Sequence, residues 1–111
     1  MKGTDLIVAE RRRQIEKEGW TAEHDDEHDG GELAWAAVCY AAPDMVYAAD
    51  NIEADETGVD LRLRDPWPWD ETWDKRKKHG RKNRGRIRQL QIAGALIAAE
   101  LDRLLREEAD A

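Results

Sequence analysis

The last third of the chain restricts the possible folds most. Ile87, Leu90, Gly94, Ile97, Leu101 and Leu104 recur at steps of three and four residues. That spacing lines one side of an α-helix and predicts a long helix from about Asn83 to Glu107 with an a/d seam. Gly94 on the seam permits close approach of a neighbouring helix. So long an apolar seam in a chain of 111 residues also predicts a homo-oligomer. A chain of this length forms a single domain, residues 1–111, with room for one core.

Upstream, residues 4–18 read as a second helix. Thr4 or Asp5 can cap it, Leu6, Ile7, Arg11 and Ile15 form a stripe, and Gly19 stops it. Glu10, Arg11, Arg12, Arg13 and Gln14 leave most of its circumference polar, which predicts a solvated face with i,i+4 pairs. A third helix, Gly30 to Ala42, is apolar nearly all round and so is expected at the centre of the fold. Asp29-Gly30-Gly31-Glu32 before it has the spacing of a capping box.

Asp50 to Asp60 is acidic and predicts a loop. Val59, Leu61 and Leu63 alternate with polar residues, which fits one short strand or an extended connector. Asp65-Pro66-Trp67-Pro68-Trp69-Asp70 cannot be regular helix, because each proline restricts itself and the residue before it. The expected fold is therefore all-α: a small helical bundle with an irregular Pro/Trp-rich segment before the long C-terminal helix, and at most one short strand.

Composition excludes several classes. The chain has no Phe but five Trp in two zones, so the large aromatics call for a local explanation. Its single cysteine, Cys39, cannot form an internal disulfide, suits a reducing compartment and sits in an apolar run as a core residue. No stretch approaches the ~20 apolar residues of a membrane span, and the N-terminus turns charged too early for a signal peptide. A cytoplasmic protein is expected. The formal net charge is -7, yet Lys75 to Arg88 is strongly basic. That run can pair with the acidic segment 23–32 or hold phosphate. Without a docking motif it is a weak sign of nucleic-acid binding.

Chemistry concentrates between Gly19 and Ala42, where Trp20, His24, Asp25, Asp26 and His28 precede the core helix. His24 and His28 are four apart, one helical turn, so His24, Asp26 and His28 form a candidate divalent metal set for Mg, Mn or Zn. His24-Asp25-Asp26-Glu27-His28 also matches the H-x-x-E-H peptidase pattern. Its intervening residues are all acidic, whereas that pattern needs apolar residues behind the ligands. Trp67 and Trp69, with Trp20, can stack on a planar ligand. Arg11 and Arg13 are candidates to hold phosphate.

Glu10-Arg11-x-Arg13-Gln14, then Gly19-Trp20, a His-containing turn, an alanine-rich helix and a late Ala-Glu-Leu-Asp-Arg resemble small phage and prophage accessory proteins. The same features resemble the MazG-like branch of the all-α nucleoside triphosphate pyrophosphohydrolases. The resemblance covers residues 9–42 and 86–106. It implies a helical fold and a nucleotide-type ligand in the host cytoplasm. MazG-like enzymes hold Mg through E-E-x-x-E and E-x-x-D patterns. Here Glu32 is followed by Leu33, Ala34, Trp35 and Ala36, and Arg88 and Gln91 stand at the late acidic positions.

The expected function is that of an accessory protein which binds a nucleotide-like small molecule without hydrolysing it, for instance to sequester a host immune signal. The ligand-binding set is Arg11, Arg13, Trp20, His24, Asp25, Asp26, His28, Trp67 and Trp69. The alternatives are a diverged metal-dependent nucleotide pyrophosphohydrolase and an acidic inhibitor that mimics nucleic acid.

Overall fold

A computed structural model describes residues 1–76 and 83–111. Lys77, Lys78, Arg81 and Lys82 of the basic run lie outside the described residues. Four helices are described: α1 (Gly3–Lys17), α2 (Ala22–Asp26), α3 (Glu32–Ala41) and α4 (Asn83–Ala109). Between α3 and α4 lie two antiparallel strands, β1 (Ala48–Asp55) and β2 (Gly58–Arg64), and a short 3-10 turn at Glu71–Trp73.

The core is the seam between α3 and α4, where Leu33, Ala36, Ala37 and Tyr40 meet Ile92, Ala93, Leu96 and Ala99. Alanines dominate this contact, so the two backbones approach closely. Arg86 reinforces it by donating to the carbonyls of Tyr40, Ala41 and Ala42. A guanidinium there satisfies orphan acceptors and complements the negative end of the α3 dipole. On another side of α4, Gln91 Nε2 donates to the Leu6 carbonyl at 2.8 Å and ties down α1. Gly94 also faces α1: a Cβ there would lie 2.5 Å from Ile7 Cδ1.

The structure corrects the sequence reading in four places. The fold is mostly helical with a long C-terminal helix, as expected, but 59–64 has a partner strand, formed by residues expected to be an acidic loop. The register runs from Ala48 opposite Arg64 to Asp55 opposite Gly58, with an irregularity at Asn51/Glu53. Strand pairing here is a backbone matter, which acidic side chains disfavour but do not forbid.

The capping box before α3 does not form. Gly31, at φ +87°, occupies the cap position and contributes no side chain. At α1 the helix begins at Gly3, and Asp5 accepts from the Lys2 N–H at 2.9 Å from inside the first turn. Third, α3 is apolar all round but not covered all round, since Trp35 and Val38 remain 42% exposed.

The fourth correction concerns α4. Its buried face is Gln89, Ile92, Ala93, Ala95, Leu96, Ala99 and Arg103, whereas Ile87, Leu90, Ile97, Leu101 and Leu104 of the a/d seam are exposed. Only Gly94 of that seam meets another helix closely, through Ile7. The face turned to α3 pairs Ile92 and Leu96 with Ala93 and Ala99, so the alanines let the helices close up around two large side chains. No described helix is long and apolar enough to cross a membrane.

Candidate functional site

The end of α1 begins the site. Gly19 takes φ +72°, a conformation that costs a glycine little, and turns the chain back. The Trp20 N–H then bonds to the Gln14 carbonyl at 3.0 Å, which sets the indole beside α1. Thr21 caps α2 by accepting from the His24 N–H. Residues 20, 24 and 28 thus follow one another at four-residue steps along the same side. The His24 ring stacks on Trp20 with centroids 5.3 Å apart and planes 9° apart, and the His28 ring lies 4.9 Å from His24.

The Pro/Trp segment closes this side. Trp69 packs against His28 at 5.2 Å and against Trp20 at 6.3 Å, while Trp67 meets Trp69 at 5.5 Å and Tyr40 at 5.7 Å. Arg76 fixes Trp67 in place: its guanidinium lies over the ring at 5.4 Å and bonds to Asp65 and Asp74. Burial pushes the Tyr40 phenol pKa up; its oxygen accepts from the Lys75 N–H. These rings enclose a cleft of about 950 Å³, floored by Ile92 and Leu96 of α4 and walled by Glu10 and Gln14 of α1. That volume lies in the range of small-molecule sites.

One charged group on the cleft wall is neutralised internally. Glu10 is buried and receives two guanidinium forks, from Arg13 at 2.6 and 3.2 Å and from Arg88 at 3.0 Å. Burial alone would raise its pKa. The hydrogen bonds and positive charge of the two arginines outweigh it and hold the carboxyl below the ordinary glutamate value. The same contacts raise the pKa of Arg13.

Two other polar groups in the cleft walls are left over. Gln14 is 1% exposed, and its Oε1 has no hydrogen-bond partner; Trp69 Nε1 is buried and likewise unpartnered. A buried polar atom without a partner costs about 1–3 kcal/mol. The aromatic-rich cleft thus has an unused acceptor and an unused donor in its walls.

Of the residues singled out from sequence, the cleft brings together Arg13, Trp20, His24, His28, Trp67 and Trp69. It does not include Arg11, Asp25 or Asp26. Asp25 is fully buried between Arg11 Nη2 (2.7 Å) and His24 Nδ1 (3.0 Å). Asp26 reaches α4 instead, where it accepts from Arg106 at 2.8 Å. The proposed metal set therefore does not converge, because Asp26 is turned to Arg106 while His24 and His28 face the rings. His28 Nδ1 lies 3.3 Å from Glu32. Among the described residues, no three His, Cys, Asp or Glu side chains come together in a way that could hold a metal ion.

Sequence reasoning missed Glu10 and Gln14, read as a solvated face, and also Tyr40, while Arg88 entered it as a member of the basic run and not as a partner of Glu10. A signal was present for the first two. A helix as short of apolar residues as α1 must turn polar ones inward wherever it packs. The basic run, where described, is largely spent within the fold: Arg76 on Asp65 and Asp74, Arg86 on α3, and Arg88 on Glu10. No family model matches the chain, and neither a curated protein nor a solved structure matches it.

Proposed function

We propose that this chain binds a nucleotide-like small molecule in the aromatic cleft and holds it without hydrolysis. The observation that carries this reading is the pair of buried, unpartnered atoms, Gln14 Oε1 and Trp69 Nε1, in a cleft lined by Trp20, Trp67, Trp69 and Tyr40. A base stacked between the indoles would supply a donor to Gln14 and an acceptor to Trp69. Base–aromatic stacking contributes about 1–3 kcal/mol per base. Arg13, half-exposed at the rim, and Lys75 are the cations nearest a phosphate. Sequestering a signalling nucleotide of a host is the use we propose for it, in line with the resemblance to phage accessory proteins.

The test is thermal shift with a panel of nucleoside mono-, di- and triphosphates and cyclic dinucleotides, followed by recovery of the ligand. A rise in melting temperature with intact ligand recovered supports the reading. No shift with any member of the panel would count against it and favour the acidic protein-binding inhibitor.

A second reading, hydrolysis, draws on a single contact. The buried Asp25 holds His24 Nδ1, as a carboxylate does when it orients a general base, and Arg11 anchors that carboxylate. Products in place of recovered ligand would decide for it. A metal-dependent version has no set of described ligands to rest on.

A further inference from the structure

The side of α4 turned away from α3 and the cleft carries the apolar seam. Ile87, Leu90, Ile97, Leu101 and Leu104 lie along it, each about half exposed. Leu105 widens the stripe. Across Ala98 it runs into a shallow groove of about 350 Å³ that holds Ile7, Val8 and Ile15 of α1. Large apolar side chains repeated along about 27 Å of helix are costly to leave in water.

We propose that this face is a dimer interface, occupied by the α4 and α1 of a second copy of the chain packed antiparallel across a two-fold axis near Ile97. Three observations select that occupant. First, Ile87 and Leu90, then Ile97, Leu101 and Leu104, keep the three- and four-residue spacing by which two helices interlock side chains along a shared line, with Ile7 of α1 seated at Gly94 between them. A stripe of this kind is complementary to itself, as a two-fold interface requires.

Second, the area is right. Exposed fractions of 43 to 62% across the stripe and the α1 residues beside it correspond to roughly 800 Å² per copy, which equals one partner's share of a standard interface and exceeds the usual largest patch on a monomer.

Third, charge sets the direction. The start of α4 carries Arg84 and its end carries Glu107, Glu108 and Asp110, all exposed. Antiparallel packing brings each basic start against the partner's acidic end and opposes the two helix dipoles. Parallel packing would put like charges together. Because Ile92, Leu96 and Arg88 face the cleft from other sides of α4, both clefts of the dimer stay open. The proposal does not depend on what the cleft binds.

Sedimentation equilibrium over a hundredfold range of protein concentration tests it. Wild type should be a dimer with a micromolar or tighter dissociation constant, and Ile97→Glu with Leu101→Glu should be monomeric with unchanged far-UV circular dichroism. Should that double change unfold the helix, the terminal charges decide. Arg84→Glu should weaken dimerisation at least tenfold, and adding Glu108→Arg should restore it. A wild type that stays monomeric overturns the proposal. So does a dimer indifferent to both sets of changes, and a failure of the charge swap to restore pairing overturns the antiparallel arrangement.

Discussion

Residues 20–28 supply side chains to two places that behave differently. Trp20, His24 and His28 turn to the cleft, where they touch rings. Asp25 and Asp26, one and two residues after His24, turn to Arg11 and Arg106 and are consumed by ion pairs. The same dense segment thus builds a cleft wall on one side and a clamp between α1, α2 and α4 on the other. Helical periodicity makes this division, since adjacent residues on a helix point about 100° apart while residues four apart align. A cluster of histidines and carboxylates in sequence is therefore no guide to a cluster in space.

Breaking the clamp should cost the most. Asp25→Ala leaves the largely covered Arg11 without its 2.7 Å partner and with Asp102, half exposed at 3.9 Å, as its remaining ion pair. Unfolding titrations should show a loss of about 3 kcal/mol, the low end of the penalty for breaking a buried pair. Next in size is the cleft wall. Trp69→Ala should weaken nucleotide binding by about 1–3 kcal/mol in a calorimetric titration. A stability change with unaltered affinity would make Trp69 a core seal and nothing more.

Glu10 gives a pH-dependent test. Its folded pKa lies below the unfolded value, so its contribution to stability is complete above the ordinary glutamate pKa and is lost as pH falls through the lowered one. Stability measured from neutral to strongly acidic pH should fall less steeply in Glu10→Gln than in wild type at the acid end. The neutral-pH cost of that substitution should be roughly 2 kcal/mol, since two charged hydrogen bonds go. The smallest effect belongs to the exposed half of the clamp. Asp26→Ala breaks a pair whose carboxylate is half in water and should cost less than about 1 kcal/mol.

Much of the scaffold was legible in the sequence. Gly19 stops α1 where a φ of +72° is needed, and the apolar spacing of α4 identifies a long helix. That spacing did not say which side of α4 would be buried, because a second stripe, Ile92, Ala93, Leu96 and Ala99, mixes alanines with larger residues and is the one that meets α3. The aromatic members of the cleft were legible as well, through the clustering of Trp and the irregular Pro/Trp segment. Glu10 and Gln14 were read as a solvated face, because Arg88, one of the two arginines that hold Glu10, lies 78 positions away, and only the scarcity of apolar residues on α1 hinted that polar ones turn inward. Strand β1 stayed hidden for a similar reason, since its acidic composition reads as loop and only pairing with β2 makes it a strand.

Gln14 tests the central claim most directly. In the free protein its Oε1 is buried without a partner, so Gln14→Leu removes an unsatisfied group and fills similar space with methyl groups. Thermal unfolding of wild type and Gln14→Leu, each with and without the nucleotide that shifts wild type most, makes the comparison. A cleft built for a ligand predicts that the substitution leaves the free protein as stable or more stable while abolishing the ligand-induced rise. A variant that is less stable when free, yet still shifted fully by the ligand, would contradict the account and make Gln14 a structural residue.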